Sequence, residues 1–232
     1  MVPWSLLDTA AVPGGDAELR LLRRGAEFSI MLGRNELMNS RRSSSEERLA
    51  LLASERIGNR TRVRILIGGL GMGYTLRAAL RALPSDARID VAELVPAVIA
   101  WAHGPMAELF GDCLSDPRAA LHGADVADLI GAGGSSYDAI LLDVDNGPEG
   151  LTRAANDRLY TGHGLATTYG ALRPGGVLAV WSAERSERFT ARLRTRGFAV
   201  EEIPVRANGK RGARQVIWIA TRRAGHSAQK HA

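Results

Sequence analysis

The sequence has few of the residues and patterns that mark secreted and membrane-spanning proteins. It carries one cysteine, Cys113, in 232 residues, which excludes an internal disulfide framework and suits a reducing compartment. No apolar run approaches the roughly 20 residues that a membrane-spanning helix needs. The N-terminus also lacks the basic segment followed by an apolar one that forms a secretory signal. We therefore expect a cytoplasmic protein with no membrane partner.

Lysine is nearly absent, because 28 of the 30 basic residues are arginine. The formal net charge of +5 invites a nucleic-acid interpretation, since clustered basic side chains displace counterions from phosphates. The arginines are nevertheless scattered among acidic residues, and the sequence contains no helix-turn-helix, zinc-finger or RNA-binding signature. We interpret them as part of a solvated face and do not expect a nucleic-acid partner.

Hydrophobic patterning predicts an α/β fold. From Val63 onward apolar runs alternate with helical patterns, which predicts βαβ units in a Rossmann-like, doubly wound and mostly parallel sheet. Two runs near the C-terminus, AVEEIPVRA and RQVIWIATR, predict an antiparallel strand pair. We expect this domain to span residues 43–223 and a disordered tail to span residues 224–232.

The first 42 residues predict a small β region of their own. The segment AELRLLRRGAEFSIMLGRNELMN has short apolar runs split by glycines, which indicates two or three short strands joined by hairpin turns. Serines follow it, and Glu46 or Glu47 lies three residues beyond Ser43 or Ser44. This capping-box pattern predicts a helix that starts here and ends at Gly58.

A glycine-rich loop carries the main chemical signal. In RILIGGLGMGYTLRAAL, Gly69, Gly71 and Gly73 alternate between a buried strand and a helix. Glycine there supplies positive φ and lets the backbone approach a ligand without a Cβ. Glu93 ends the next strand about twenty residues on, where an acid accepts hydrogen bonds from ribose hydroxyls. The loop does not fit the NAD fingerprint, whose last slot falls on Tyr74, and no Gly-Lys-Ser or Gly-Lys-Thr follows for a P-loop.

Four segments together resemble one enzyme family. The alternating glycines resemble the loop of class I S-adenosylmethionine-dependent transferases. DPRAALHGADVADLI resembles a spermidine synthase segment whose aspartate, here Asp125, contacts the adenine, although Val126 replaces the glycine that follows it there. YDAILLDVDNGPEG and GALRPGGVLAVWSA resemble the later strands of the same family. On this likeness, which covers about Val63 to Ala183, the chain is identified as a spermidine synthase-like protein of the class I superfamily.

The resemblance implies a cofactor and its binding residues. The cofactor would be S-adenosylmethionine or its decarboxylated form, bound by Gly69, Gly71, Gly73, Glu93, Asp125 and Asp143. Asp143 ends the strand AILLD, and a carboxylate there would fix an ammonium group or act as a general base. Asp145 is the second catalytic candidate. The histidines and the cysteine lack metal-ligand spacing, so we expect no metal.

The sequence departs from spermidine synthases at positions that handle the polyamine. An aspartate of their glycine loop is replaced by Gly71-Met72, and two aspartates normally three apart become Asp143 and Asp145, two apart. Their Tyr-His-Glu segment reads Ser45-Glu46-Glu47. We therefore expect methyl transfer to a small polar or amine-bearing acceptor. Aminopropyl transfer from decarboxylated S-adenosylmethionine is the first alternative, and a non-catalytic nucleoside- or RNA-binding scaffold is another. A homodimer is left open.

Overall fold

Two β-sheets form the framework of this computed structural model, which describes residues 2–14, 17–41, 43–144, 148, 158–208 and 211–224. The smaller sheet is antiparallel and lies at the N-terminus. Its strands follow one another in space as they do in sequence: β1 (Ser5–Ala11), β2 (Glu18–Arg24), β3 (Glu27–Leu32) and β4 (Asn35–Asn39).

The larger sheet holds seven strands. They are β5 (Arg64–Gly68), β6 (Arg88–Ala92), β7 (Ala119–His122), β8 (Tyr137–Leu142), β9 (Leu172–Ser182), β10 (Phe198–Asn208) and β11 (Arg211–Arg222). Their spatial order is β10-β11-β9-β8-β5-β6-β7. Pairing is parallel from β9 to β7, whereas β11 runs antiparallel to both of its neighbours.

Helices connect the strands of the larger sheet. They are α1 (Ser44–Ile57), α2 (Tyr74–Ala82), α3 (Pro96–His103), α4 (Ala107–Phe110), α5 (Val126–Ala132), α6 (Gly162–Ala171) and α7 (Glu187–Thr195), with a short 3₁₀ turn at Gly111–Leu114. The chain winds outward from β5 through β6 to β7 and then returns to β8, beside β5. This reversal is the topological switch point of a doubly wound sheet, and it confirms the predicted fold.

The helix α1 starts and ends where the sequence predicted. It begins at Ser44 and its C-cap is Gly58, whose φ of 64° lies in the region that glycine tolerates best. The expected capping box is not formed, because the Ser43 side chain makes no cap hydrogen bond. The backbone N–H of Glu47 donates to the carbonyl oxygen of Ser43, which is the first backbone hydrogen bond of the helix.

Two strands differ from the sequence-based expectation. The strand β1 was not predicted. It pairs only with β2 and exposes both Leu6 and Leu7, so its sequence shows no alternation of apolar and polar residues. The apolar run VLAVWSA predicts a strand that starts at Val177, after the turn residues Pro174, Gly175 and Gly176, whereas β9 starts at Leu172. Tyr137 of β8 pairs with Leu172, and a register irregularity then absorbs the Pro174-Gly175-Gly176 segment.

The N-terminal sheet packs directly on the parallel sheet's helices. Its buried residues belong to the same hydrophobic core as α1, α2 and α3: Leu19, Leu21, Phe28 and Ile30. Two hydrogen bonds reinforce this contact, from the Trp101 indole to the Asp8 carboxylate at 2.7 Å and from the Tyr74 hydroxyl to the Ser40 carbonyl oxygen at 2.9 Å. The division of the chain at residue 42 stays a prediction, and residues 225–232 of the expected tail lie outside the described residues.

No helix within the described part of the chain has the length and apolar character needed to cross a membrane.

A buried carboxylate fixes the start of β8. Asp138 is 2% exposed and accepts hydrogen bonds from the Arg60 guanidinium at 2.9 Å, the Arg173 guanidinium at 2.7 Å and the backbone N–H of Arg64 at 2.9 Å. A buried charge is tolerated when its acceptor positions are filled in this way. Asp138 therefore connects the turn that follows α1 with the starts of the strands β5, β8 and β9.

We predict that Asp138→Asn lowers the free energy of unfolding by about 3 kcal/mol, because two buried charge-assisted hydrogen bonds lose their anion. Urea unfolding followed by circular dichroism measures this change. The control is Glu55→Gln, which weakens an exposed ion pair with Arg48 and should cost less than about 1 kcal/mol. Equal effects from both substitutions would contradict the role given to Asp138.

Candidate functional site

The candidate site lies at the carboxyl edge of the parallel sheet. Gly69, Glu93 and Asp143 each directly follow β5, β6 and β8, and Asp125 lies three residues after β7. All four border one cavity. The remaining lining residues come from the glycine loop, the ends of the strands, the N-terminal sheet and the helices α1, α2, α3 and α5: Val12, Leu19, Ile30, Leu32, Leu37, Met38, Glu46, Leu70, Gly71, Met72, Tyr74, Thr75, Ala92, Leu94, Val95, Val98, Ala124, Val126, Val144 and Trp181.

The three glycines of the loop each need their lack of a side chain. Gly69, Gly71 and Gly73 have φ of +91°, +52° and +74°. A Cβ on Gly69 would lie 2.6 Å from the backbone oxygen of Asp143, and a Cβ on Gly73 would lie 2.5 Å from the Phe110 ring. Gly69 and Gly71 border the cavity, whereas Gly73 packs against Phe110 and is absent from the lining.

The Glu93 carboxylate ties the loop to the end of β6. One oxygen accepts a hydrogen bond from the backbone N–H of Leu70 at 3.0 Å, and the other accepts from that of Val95 at 2.8 Å. The side chain is buried, and this burial raises the pKa of Glu93, although the backbone donors oppose the shift. Each carboxylate oxygen keeps a lone pair for a further donor.

Asp125 is held by its own helix and by an arginine. Its carboxylate caps α5 by accepting from the backbone N–H of Ala127 at 2.8 Å. The other carboxylate oxygen is 2.5 Å from the Arg158 guanidinium, which also lies 3.6 Å from Asp128. Arg158 itself is more than half exposed.

Asp143 and Glu46 form a carboxylate pair beside the loop. The hydroxyl of Thr75, in the first turn of α2, donates to the Asp143 carboxylate at 2.9 Å and lies 3.4 Å from the backbone oxygen of Glu46. Ser45 donates to the Glu46 carboxylate at 2.7 Å. The pair joins the end of β8 to the starts of α1 and α2.

The pair holds protons more tightly than isolated carboxylic acids do. Burial, together with the negative charge of Glu46, raises the pKa of Asp143 to about 7, although the Thr75 hydrogen bond opposes the shift. Burial also raises the pKa of Glu46, with the neighbouring Glu47 adding to the effect. Near neutral pH the site can therefore accept or release a proton, which is the property that a general base needs.

Trp181 contributes an apolar surface and a donor without a partner. The parallel register pairs Leu142 with Val180, so Trp181 lies one step further along β9, level with Asp143. Its buried indole N–H has no hydrogen-bond partner among the described residues. An unsatisfied buried donor costs about 1–3 kcal/mol, and a ligand in the cavity that Trp181 lines is one group able to satisfy it.

The structure brings together most, but not all, of the residues expected from the sequence. Gly69, Gly71, Glu93, Asp125 and Asp143 border one cavity. Asp145, the second catalytic candidate, lies outside the described residues. Within the described ranges no three histidine, cysteine or acidic residues lie close enough together to hold a metal ion.

Sequence reasoning missed four neighbours of the site. Glu46 was assigned to a helix start and, through the resemblance, to the segment that replaces Tyr-His-Glu, but it was not expected beside Asp143. Trp181 could have been found from its position at the end of a predicted strand. Thr75 and Arg158 carry no signal of their own, because only the packing of α2 and the chain's return to α5 bring them to Asp143 and Asp125.

Comparison with known proteins identifies the fold. A spermidine synthase in complex with the transition-state analogue AdoDATO superposes with a TM-score of 0.73 at 16% identity, covering 94% of this chain and 73% of its own. The spermidine synthase from Thermotoga maritima gives 0.73 at 18% identity with the same coverages. The chain has the spermidine synthase fold. No protein-family model and no curated protein sequence matches it.

A methyltransferase shares the same architecture. The 1,6-didemethyltoxoflavin-N1-methyltransferase from Burkholderia thailandensis, solved with 1,6-didemethyltoxoflavin and S-adenosylhomocysteine, gives a TM-score of 0.54 at 19% identity. The match covers 78% of this chain and 79% of that one. The predicted likeness to spermidine synthases and class I methyltransferases is thereby confirmed at the level of the fold.

We predict that the change in the free energy of unfolding caused by Asp143→Asn is about 2 kcal/mol more favourable at pH 8 than at pH 5. A carboxyl group whose pKa is raised on folding binds more protons in the native state, so stability falls as pH rises from about 4 to about 7, and the amide removes this penalty. The groups that face Asp143 are Thr75 from α2 and Glu46 from α1. Urea unfolding at the two pH values measures the difference, and an equal effect at both would contradict the raised pKa.

Proposed function

We propose that the chain is an S-adenosylmethionine-dependent transferase that transfers a methyl group to a small, amine-bearing acceptor. The observation that carries this proposal is the carboxylate pair of Asp143 and Glu46, set beside a glycine loop whose other neighbour is the buried Glu93. Such a site combines acceptors for ribose hydroxyls with negative charge for a cationic donor and an amine. The fold shared with spermidine synthases and with a methyltransferase agrees with this proposal.

The described residues fit a sulfonium nucleoside. Glu93 keeps acceptor positions for ribose hydroxyls after binding Leu70 and Val95. Leu94 and Val126, which follow Glu93 and Asp125, offer apolar surface for the two faces of an adenine. Every charged side chain in the described lining is acidic, namely Glu46, Glu93, Asp125 and Asp143, which suits a positively charged sulfur.

The chain's own residues would perform three tasks in the reaction. A bound sulfonium nucleoside supplies an electrophilic carbon, which an amine nitrogen attacks as the carbon–sulfur bond breaks and its electron pair stays on sulfur. Glu46 and Asp143 would orient the amine and take up its proton, because the Asp143 pKa of about 7 lets it act near neutral pH. Thr75 would fix the Asp143 carboxylate. Positioning of the two reactants supplies much of the acceleration in such a displacement.

Aminopropyl transfer is the second candidate, and one observation favours it. The described lining contains no lysine or arginine to pair with the methionine carboxylate of S-adenosylmethionine, and that carboxylate would approach Glu46 and Asp143. The decarboxylated form lacks this group. Against it stand the departures at Gly71-Met72 and Ser45-Glu46-Glu47 from the polyamine-handling residues of spermidine synthases. The small-molecule acceptor, cytoplasmic location and homodimer stay predictions.

We predict that the wild-type chain binds S-adenosylmethionine and that Glu93→Gln weakens this binding by more than about tenfold, because the amide replaces an acceptor of ribose hydroxyls with a donor. Isothermal titration calorimetry measures the affinities, and thermal melting checks that the variant folds. The control is Glu187→Gln, at an exposed position of α7. Unchanged affinity in Glu93→Gln would refute the ribose assignment.

The same titration with decarboxylated S-adenosylmethionine distinguishes the candidates. Tighter binding of the decarboxylated form would favour aminopropyl transfer. Binding of neither form would overturn both enzyme proposals and leave the non-catalytic scaffold.

We predict that Asp143→Asn lowers turnover by about 100-fold with any acceptor the wild type uses, because it removes a carboxylate proposed to take up the proton of the amine. Chromatography that quantifies S-adenosylhomocysteine and methylthioadenosine separately reports the rate and shows which group is transferred. Asp112→Asn, at the surface, is the matched control. Full turnover of Asp143→Asn would show that Asp143 is not the base.

A further inference from the structure

One side of the cavity is an apolar wall made by the N-terminal sheet. Among the described lining residues, this part of the chain contributes only apolar side chains: Val12, Leu19, Ile30, Leu32, Leu37 and Met38. Leu19 and Ile30 belong to the hydrophobic core, whereas Leu32, Leu37 and Met38 are half-buried and pack against it. The wall therefore packs against the hydrophobic core on one side and exposes apolar side chains to the cavity on the other.

The wall adjoins the carboxylate pair. A Cβ on Gly71 would lie 3.0 Å from the Met38 sulfur, so β4 reaches the glycine loop. The next element after β4 is α1, whose first turn carries Glu46. Trp181 borders the same cavity from β9, level with Asp143. A ligand that places a nitrogen at Glu46 and Asp143 is thus flanked by Trp181 and the wall.

The charge distribution along the cavity is one-sided. Glu93 binds two backbone N–H groups and Asp125 is paired with Arg158, whereas Glu46 and Asp143 accept hydrogen bonds from the hydroxyls of Ser45 and Thr75. We therefore assign the cation to Glu46 and Asp143. A second ammonium placed against the wall would lose its hydration with no carboxylate from the described wall to replace it. A hydrocarbon chain in the same place gains from leaving water.

We propose that the acceptor is a monoamine with an apolar body, whose nitrogen is held by Glu46 and Asp143 and whose hydrocarbon packs on the β2–β4 wall. This rests on the proposed function, since it takes the cavity as the acceptor site. Linear diamines and polyamines are excluded as good substrates by the same wall. The side chains that set this selectivity are Leu32, Leu37 and Met38.

The test uses two probes of equal chain length, n-hexylamine and 1,6-diaminohexane, which differ by one distal ammonium. Calorimetric titration of the full chain, with and without S-adenosylhomocysteine, measures both affinities. We expect hexylamine to bind at least about tenfold more tightly than the diamine. Affinity in the series ethylamine, butylamine, hexylamine should also rise, by up to about fourfold per methylene. A diamine that binds as tightly as hexylamine, or an affinity independent of chain length, would overturn the proposal.

A substitution that adds a negative charge to the wall gives a second test. Leu37→Asp should reverse or abolish the preference for hexylamine over 1,6-diaminohexane, because its carboxylate can pair with the distal ammonium. The matched control is Leu7→Asp, the same change at an exposed position of β1, which should leave the preference unchanged. If Leu37→Asp does not fold, the two wild-type titrations still decide the question.

The outcomes separate the two proposals. Preferred binding of hexylamine with no binding of S-adenosylmethionine or its decarboxylated form would support the apolar amine site and overturn the transferase. Binding of S-adenosylmethionine together with a preference for the diamine would support the transferase and overturn the monoamine acceptor. Failure of every amine to bind in either titration would also overturn the monoamine acceptor.

Discussion

The Glu93 carboxylate is the constraint on which the site depends. It accepts hydrogen bonds from the backbone N–H groups of Leu70 and Val95, and it thereby joins the glycine loop after β5 to the turn after β6. The backbone N–H of Gly69 extends the same connection by donating to the Ala92 carbonyl oxygen. A loop held in this way keeps the conformation that places Thr75 against Asp143 and Met38 against Gly71. A buried acid thus has a structural use that coexists with the acceptor role proposed for it.

Much of the fold was predictable because it follows from local patterns. The parallel strands are short apolar runs, and the closing pair of β10 and β11 was apparent from the sequence. The pattern VADLIGA predicts α5 to the residue, and ERFTARLRTRGF predicts the start of α7 but ends three residues beyond Thr195. The N-terminal edge strand β1 was not predictable, since Leu6 and Leu7 face away from the core and leave no pattern. The start of β9 was missed because Pro174 and two glycines suggest a turn, whereas pairing with β8 keeps the segment extended.

The residues of the candidate site also fall into two groups, those that the sequence predicted and those that it did not. Residues that immediately follow strands, such as Glu93 and Asp143, could be found by counting along the chain, because parallel strands bring their carboxyl ends to one edge. Thr75 and Arg158 could not, because each reaches the site through packing between elements distant in sequence. The resemblance to spermidine synthases drew attention to Glu46, but its pairing with Asp143 also depends on such packing. The raised pKa of Asp143 likewise comes from three-dimensional surroundings, namely burial and the nearby Glu46, which no spacing rule contains.

The apolar wall and the residues proposed for the nucleoside come from separate stretches of the chain. The wall is encoded before residue 39, whereas the loop and the acids after the strands are encoded between residues 69 and 143. Substitutions in the hairpins can therefore reshape one side of the cavity without altering the hydrogen bonds of Glu93. Under the proposed function, a lineage with this arrangement could change the acceptor that it takes while keeping the residues proposed for the nucleoside, and a laboratory library confined to β2–β4 would sample that change.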